Sequence, residues 1–166
     1  MSQSRSARVA LFPASFDPVT NGHLDIIRRS LHVFDHLIVA IAHNVAKAGT
    51  FTVEERLEIL SNVLGEEPRI EITAFEGLLV DFCRRAGAGV VIRGLRAMSD
   101  YEYEFEMALM NKHLNPDIET VFMMASQEYL YVSSSRLKEL ARFGRNVDEF
   151  VPPMVSKALR ERFGGK

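Results

Sequence analysis

Two segments of the sequence combine residue types that bind phosphate, and the first is the run from Pro13 to His23. Its histidine stands where a helix is expected to begin, and there free N–H groups and the positive end of the helix dipole favour an anion. An imidazole at this point could donate a hydrogen bond to a phosphoryl oxygen, and Gly22 would let the backbone approach a ligand closely. The alternative is a histidine packed in the core, because His23 lies four residues before Ile27 on the buried face of the same helix.

The second segment is Ile92 to Arg96, in which two arginines flank Gly94 at the end of an expected strand. The planar guanidinium group offers a fork of N–H donors that fits phosphate oxygens, so the segment predicts a phosphate site. The alternative is that both arginines are solvated or pair with nearby acidic residues, namely Asp100, Glu102 and Glu104.

Two other places are weaker candidates for binding phosphate. Lys47 lies in the loop after the second expected strand, where local evidence alone favours a free surface lysine. Ser133 to Ser135 open a helix after the fifth expected strand, and three hydroxyls beside exposed N–H groups suit a phosphate. Simple N-capping is the alternative there, and one serine would be enough for it.

The familiar nucleotide and metal signatures are missing. The run from Gly87 to Ile92 begins like a dinucleotide-binding loop, but it ends in isoleucine and precedes a strand instead of a helix. No glycine-lysine pair has P-loop spacing, and the five histidines do not pair with cysteine or carboxylates at zinc spacing. We therefore expect no metal ion that is held by protein ligands.

Composition limits the kinds of partner. The 166 residues amount to one domain, which we expect to cover residues 1–166 with residues 1–7 flexible. A net charge of -2 gives no general attraction for nucleic acid or for an anionic membrane, so neither is expected as a partner. The single cysteine, Cys83, cannot form an internal disulfide, which fits a reducing cytoplasm. The polar first residues lack the apolar region of a secretory signal.

The elements that must position these residues follow from hydrophobic patterning. Five apolar runs without polar alternation are typical of strands buried on both faces: Val9 to Phe12, Leu37 to Ala42, Ile70 to Ala74, Val90 to Ile92 and Val121 to Met124. Segments with helical spacing separate these runs. The sequence therefore predicts an α/β fold, a single-domain, doubly wound, Rossmann-like sheet of five parallel strands with C-terminal helices. In such sheets ligands bind beyond the carboxyl ends of the strands, where the candidate segments lie.

Several helix starts are also marked. Thr20 or Asn21 could cap the first helix, while Thr52 and Ser99 each precede a glutamate by three residues, as in a capping box. Two helical segments follow the fifth strand, one over residues 135–143 and one that opens at the proline pair 152–153.

The chain resembles the nucleotidyltransferase superfamily in four motifs that occur in this order: Ser15-Phe16-Asp17-Pro18, Thr20-Asn21-Gly22-His23, Ile92-Arg93-Gly94-Leu95-Arg96 and Val132-Ser133-Ser134-Ser135. More narrowly, it is similar to the bacterial phosphopantetheine adenylyltransferases over nearly its whole length. The T-x-G-H motif alone indicates only the superfamily. Its combination with I-R-G-L-R, the following acidic and aromatic stretch, and Asn111-Lys112-His113-Leu114 is more specific.

The resemblance implies transfer of the adenylyl group of ATP to 4′-phosphopantetheine, giving dephospho-coenzyme A and pyrophosphate in coenzyme A biosynthesis, with Mg²⁺ carried by ATP. It implies that His23 binds the nucleotide and stabilises the transition state, and that Ser15 contacts both substrates. Lys47 and Arg93 would hold the acceptor phosphate, and Leu79 would contact the pantetheine arm. The other implied ATP contacts are Phe16, Gly94, Leu95, Arg96, Glu104, Tyr129, Leu130, Tyr131, Val132, Ser133, Ser134 and Ser135. A homohexamer is implied as well, with the segment after the fourth strand in its interfaces.

The sequence departs from the family pattern in two places. Ala14-Ser15 stands where the family commonly has Gly-Thr, and serine keeps the hydroxyl without the methyl group that restricts its rotamer. This departure bears on binding strength more than on reaction type. Lys138 stands where other branches of the superfamily have arginine. Two alternatives stay open: a cytidylyltransferase or nicotinamide-mononucleotide adenylyltransferase, and a nucleotide-binding module without catalysis.

Overall fold

The strands form one five-stranded sheet in the computed structural model, which describes residues 8–46 and 48–164. The strands are β1 (Val9–Ala14), β2 (His36–Ala42), β3 (Ile70–Phe75), β4 (Val90–Leu95) and β5 (Glu119–Met124). The α-helices are α1 (Asn21–Ser30), α2 (Val53–Leu64), α3 (Leu79–Ala86), α4 (Met98–Leu114), α5 (Ser134–Arg142) and α6 (Pro153–Phe163), and a 3-10 turn covers Gln127–Tyr129. Residues 1–7, which we expect to be flexible, and Lys47 lie outside the described residues.

The sheet is parallel throughout, in the order β3-β2-β1-β4-β5. This confirms the predicted doubly wound, Rossmann-like α/β fold with helices after the last strand. The chain first adds strands on one side of β1 and then crosses to the other side, so the strand order reverses between β1 and β4. In open α/β sheets such a reversal opens a crevice at the carboxyl ends of the strands.

Alternate residues of the strands feed two separate cores, one on each face of the sheet. Phe12, Leu37 and Val39 pack with residues of α1, α2, α5 and α6 in the larger cluster. Leu11 and Ile38, their immediate neighbours in the chain, pack with residues of α3 in the smaller one. Burial on both faces explains why the strands read as continuous apolar runs.

Most of the predicted helix starts are confirmed. Thr52 caps α2 in a reciprocal capping box with Glu55, and Pro153 is the first residue of α6. The capping box expected at Ser99 is wrong, because α4 already begins at Met98 after Ala97. Asp100 lies in its first turn and accepts a hydrogen bond from the backbone N–H of Arg96 at 3.2 Å, so a side chain inside the helix satisfies a donor that precedes it.

Helix α4 exposes a series of large apolar side chains, although it also contacts β4 and β5. The exposed fraction is 78% for Met98, 64% for Tyr103 and 56% for Leu109. The other members of this α4 apolar surface are Tyr101, Phe105, Met107, Met110 and Leu114. Exposed apolar area of this extent is typical of a surface that contacts another molecule. Among the described residues, no helix is both long and apolar enough to cross a bilayer.

Candidate active site

A cavity of about 270 Å³ opens at the carboxyl ends of β1 and β4, where the strand order reverses. It is lined by Phe12, Pro13, Ala14, Ser15, Thr20, Gly22, His23, Ile26, Arg93, Gly94, Arg96, Glu104, Ala125, Tyr129, Val132, Ser133, Ser134 and Ser135. The two phosphate-binding segments predicted from the sequence therefore meet at one place, together with the start of α5.

The cavity exists because β1 and β4 pair only at their beginnings. Their register covers Ala10 with Val90 and Leu11 with Val91, whereas each of the other neighbouring strands pairs over six residues. Beyond this point Pro13 has no N–H to donate to β4. Its carbonyl oxygen instead accepts a hydrogen bond from Nη1 of Arg93 at 2.7 Å, so a side chain from β4 closes the gap.

His23 is fixed by a capping box at the start of α1 in which histidine takes the usual place of glutamate. The Thr20 hydroxyl accepts from the backbone N–H of His23 at 3.3 Å. In return, the backbone N–H of Thr20 donates to Nδ1 of the His23 ring at 3.1 Å. Because Nδ1 accepts this hydrogen bond, it carries no proton, and in the neutral ring the proton lies on Nε2. The T-x-G-H spacing thus fixes both the orientation and the tautomer of the ring.

The surroundings of His23 keep its ring neutral. The ring packs against the Phe16 ring at a centroid distance of 5.1 Å, and Phe12 lies behind both. Burial and the positive charges of Arg96 and Arg93 together lower the pKa of His23 from 6.5 to about 4. The histidine is therefore packed against the core and also lines the cavity, which unites the two interpretations of the sequence.

Arg93 points into the same cavity with part of its donor set unused. Its Nε and Nη2 donate to the two carboxylate oxygens of Glu104, both at 2.6 Å, and Nη1 donates to Pro13. A guanidinium group has five N–H donors. These contacts use three of them, so Nη1 and Nη2 each have one N–H more for a phosphate. Glu104 thereby orients Arg93 without occupying the fork completely.

Arg96 is held in a similar way by residues on both sides of the cavity. Its Nε donates to Asp100 at 3.0 Å and its Nη1 donates to the carbonyl oxygen of Val132 at 3.1 Å. Of the alternative that both arginines are solvated or pair with nearby acidic residues, the pairing is confirmed, with Glu104 and Asp100 as the partners. Each is paired with an acidic residue of α4, and each also lines the cavity.

The N-terminus of α5 forms the opposite wall. Ser133 caps the helix by accepting from the backbone N–H of Arg136, so the capping interpretation holds for this serine. The Ser134 hydroxyl donates to the carbonyl oxygen of Pro18 at 2.8 Å, which ties α5 to the loop after β1.

Tyr129 approaches Gly22 so closely that a Cβ on Gly22 would lie 3.3 Å from the Tyr129 Cβ. Gly22 therefore makes room for a neighbouring side chain as well as lining the cavity.

The structure does not bring all the expected residues to this cavity. Phe16 lies beneath His23 and is 1% exposed, and the Leu95 side chain is buried in the core. Leu130 and Tyr131 are exposed outside the lining, and Tyr131 packs edge-to-face on Phe150. Leu79 begins α3 beyond the carboxyl end of β3, two strands away from β1.

No group of three or more His, Cys, Asp or Glu that could hold a metal ion occurs in residues 8–46 and 48–164. Among the described residues, Glu104 is the one carboxylate that lines the cavity, and Glu104 and the neighbouring Asp100 of α4 are each paired with an arginine. The donor set here fits a metal ion that arrives on phosphate oxygens better than one that is bound by side chains.

Sequence reasoning missed one group of residues beside the cavity. Asp17, Arg56 and Lys138 form ion pairs behind Ser15, with their partners far apart in the chain. Asp17 belongs to the first family motif and Lys138 is a departure from the superfamily pattern, but no local spacing connects positions that are 39 and 121 residues apart.

Comparisons with known proteins agree with this geometry. The sequence profile of the cytidylyltransferase-like family matches residues 11–140. A protein of Syntrophotalea carbinolica is 52% identical over 95% of this chain and 95% of its own length. Relatives in Caldanaerobacter subterraneus and Clostridium tetani are 51% and 50% identical, over 94% and 95% of this chain and 98% and 99% of their own lengths. All three are named phosphopantetheine adenylyltransferase. The chain therefore belongs to the cytidylyltransferase-like family and, within it, to the phosphopantetheine adenylyltransferases.

Proposed function

We propose that this protein transfers the adenylyl group of ATP to 4′-phosphopantetheine, forming dephospho-coenzyme A and releasing pyrophosphate in the cytoplasmic synthesis of coenzyme A. The observation that carries the proposal is the convergence of a neutral His23, the donor forks of Arg93 and Arg96, and the start of α5 on one cavity. The names of the relatives supply the identity of the acceptor.

The chemistry needs positioning more than it needs a strong base. The phosphate of the acceptor is an anion at neutral pH and is the nucleophile. As its oxygen forms a bond to the α-phosphorus of ATP, the bond from that phosphorus to the pyrophosphate oxygen breaks. The protein must hold two anions together against their repulsion and stabilise the charge that grows on the α-phosphate.

His23 is suited to stabilising that charge as a neutral donor. With Nδ1 engaged by Thr20, the Nε2–H group is the part of the ring that can donate to a phosphoryl oxygen. Because the pKa of His23 is about 4, the ring is neutral near pH 7, and its Nε2–H group serves as a hydrogen-bond donor instead of as an acid. We assign His23 to the transition state and Arg96, Gly94 and Ser133–Ser135 to the nucleotide.

The acceptor would lie on the Arg93 side. Arg93 keeps two N–H donors for its phosphate, and Ser15, which lines the same cavity, lies between the two substrates. Lys47 and Leu79 are assigned to the phosphate and to the pantetheine arm on the strength of the family pattern. In the amino-acid sequence Lys47 comes after β2, and Leu79 follows β3.

Magnesium would enter as a complex with ATP. When bound to the triphosphate it neutralises negative charge on the phosphate oxygens and on the departing pyrophosphate. The residues of the chain contribute the hydrogen bonds and positive charges described above.

The α4 apolar surface supports self-association into the homohexamer that the family pattern implies. Side chains such as Tyr103 and Leu109, 64% and 56% exposed, would be buried by further copies of the chain. Charged residues of the same helix, Asp100 and Glu104, hold the two arginines of the cavity, so the surface and the site share one element.

The first prediction concerns the product. Purified protein mixed with ATP, Mg²⁺ and 4′-phosphopantetheine should yield dephospho-coenzyme A, identified by mass, together with one pyrophosphate per product. Reactions with CTP as donor or with nicotinamide mononucleotide as acceptor serve as controls and should yield no pyrophosphate above background. Faster turnover in either control would assign the chain to another member of the superfamily, and ATP binding without turnover would indicate a binding module.

The second prediction concerns His23. Replacement by alanine should lower kcat by about 10²–10³-fold, as expected for loss of a donor to the transition state. The Kd for ATP should change by less than about threefold, because most nucleotide contacts remain. The matched control is His32→Ala, an exposed histidine just after α1, which should leave both quantities unchanged. Equal losses in kcat and ATP affinity would contradict the assigned role.

The third prediction concerns pH. Because the pKa of His23 is lowered to about 4, its ring resonances should not titrate near pH 6.5, and the nitrogen spectrum should show protonated Nε2 and unprotonated Nδ1 at pH 7. The unfolded chain binds a proton on this ring below about pH 6.5, whereas the folded chain binds it only below about pH 4. The free energy of unfolding should therefore decrease as the pH falls from about 6.5 towards about 4. Comparison with His23→Ala assigns the resonances. A midpoint near 6.5 would refute the prediction.

The fourth prediction concerns assembly. Light scattering should give the mass of six chains, and Leu109→Glu should give smaller species, because a carboxylate would have to be buried in an apolar interface. Glu106→Gln, a change on the same helix that removes a charge instead of adding one, is the control and should keep the larger mass. A monomeric wild-type protein would exclude the hexamer.

A further inference from the structure

The carboxylate of Asp17 lies behind the cavity wall and is surrounded by donors. Its side chain is 8% exposed and accepts from the backbone N–H groups of Thr50 at 3.0 Å and Phe51 at 2.9 Å. Nζ of Lys138 donates to Oδ2 at 2.8 Å. Burial disfavours the charged form, but these hydrogen bonds outweigh it and lower the pKa of Asp17. The carboxylate is therefore a fixed anion at the junction of three segments.

Arg56 completes this cluster from α2. Its Nε lies 3.5 Å from Oδ1 of Asp17 and donates to the carbonyl oxygen of Phe51 at 2.8 Å. Its Nη1 donates to the carbonyl oxygen of Ser15 at 3.3 Å, so it holds the residue that lines the cavity. A Cβ on Gly49 would come within 1.7 Å of Arg56 Nη2, which shows how closely the chain before α2 is drawn over the guanidinium group.

The segment that the cluster holds has a backbone conformation of high energy at Phe16. Phe16 has a φ of 44°, in the left-handed region that a non-glycine residue seldom adopts. Such a backbone persists only where surrounding contacts determine it. Arg56 ties Ser15 on one side of Phe16. On the other side, three hydrogen-bond donors and the ion pair with Arg56 tie Asp17. The turn that follows β1 is thus held from both ends.

Lys138 connects this turn to α5. It lies one helical turn after Ser134, so both side chains point from the same face of the helix. Ser134 donates to the carbonyl oxygen of Pro18 and Lys138 donates to the carboxylate of Asp17. Two adjacent residues of the loop are thereby bound to two positions of α5, which fixes the helix N-terminus relative to His23. Lys138 itself is not among the residues that line the cavity.

We propose that Lys138, acting through Asp17 together with Arg56, positions the Ser15–Phe16 turn against the N-terminus of α5 and thereby sets the geometry for adenylyl transfer. Lys138 and Asp17 are positioning residues that do not contact either substrate. The proposal rests on the proposed function, since its kinetic consequence concerns that reaction. A displacement of about 1 Å in such a site can cost about 10²-fold in rate, while ground-state contacts to the nucleotide persist.

The test is a set of variants at Lys138 and Asp17. Lys138→Met removes the ammonium group and keeps the length of the side chain, and kcat should fall about 10- to 100-fold with little change in the KM for ATP. Lys138→Arg should restore most of kcat, because a guanidinium group can still donate to Asp17. The matched control is Lys157→Met, an exposed lysine of α6 that should behave like the wild type.

A double-mutant cycle separates positioning from direct contact with ATP. If Lys138 acts through Asp17, Asp17→Asn combined with Lys138→Met should lose no more activity than the more severe single variant. A proportional rise in the KM for ATP in Lys138→Met, or losses that multiply in the double variant, would overturn the proposal in favour of a direct phosphate contact.

A second measurement does not depend on turnover or on the stability of the Asp17 variant. The backbone amide resonances of Ser15 and Phe16 should move or broaden in Lys138→Met and stay in place in Lys157→Met. Unchanged resonances in Lys138→Met would overturn the proposal whatever the activity. Absence of product with the wild-type protein would instead contradict the proposed function, and the resonances would still test the cluster.

Discussion

The early end of pairing between β1 and β4 is the constraint on which the site depends. After Leu11 and Val91 the two central strands no longer share a ladder, and their backbone groups must find other partners. The guanidinium group of Arg93 supplies one of them by bonding to the Pro13 carbonyl oxygen. A cation is therefore built into the crevice because it satisfies a backbone acceptor there, at the place proposed to bind phosphate.

Other side chains around the crevice also have two roles, because they satisfy backbone groups and orient the residues of the candidate site. The capping box of α1 satisfies orphan donors and, through Thr20, determines which ring nitrogen of His23 carries the proton. The first turn of α4 is completed by Asp100, which also holds Arg96. Because these side chains are already ordered, little conformational freedom remains to be lost when the substrates bind.

Much of this could be predicted from the sequence, because the signals are local. The apolar runs give the strands, and the spacing of Thr20 and His23 falls within one helical turn. The start predicted for α4 is wrong because the helix begins at Met98, and the Asp100 carboxylate accepts from the N–H of Arg96, a contact that capping-box spacing does not predict. The Asp17 cluster could not be predicted, since its ion pairs join the first loop to α2 and α5 across the folded chain. Only tertiary packing brings such partners together.

The pairing of each site arginine with its own carboxylate bears on how the enzyme finishes a cycle. Glu104 and Asp100 keep Arg93 and Arg96 locally compensated, so a departing polyanion does not leave bare positive charge behind it. A crevice of uncompensated arginines would hold pyrophosphate strongly and slow its escape. In the proposed reaction, the acidic residues of α4 would therefore weaken the hold of the crevice on a departing polyanion, at the expense of some affinity for the incoming nucleotide.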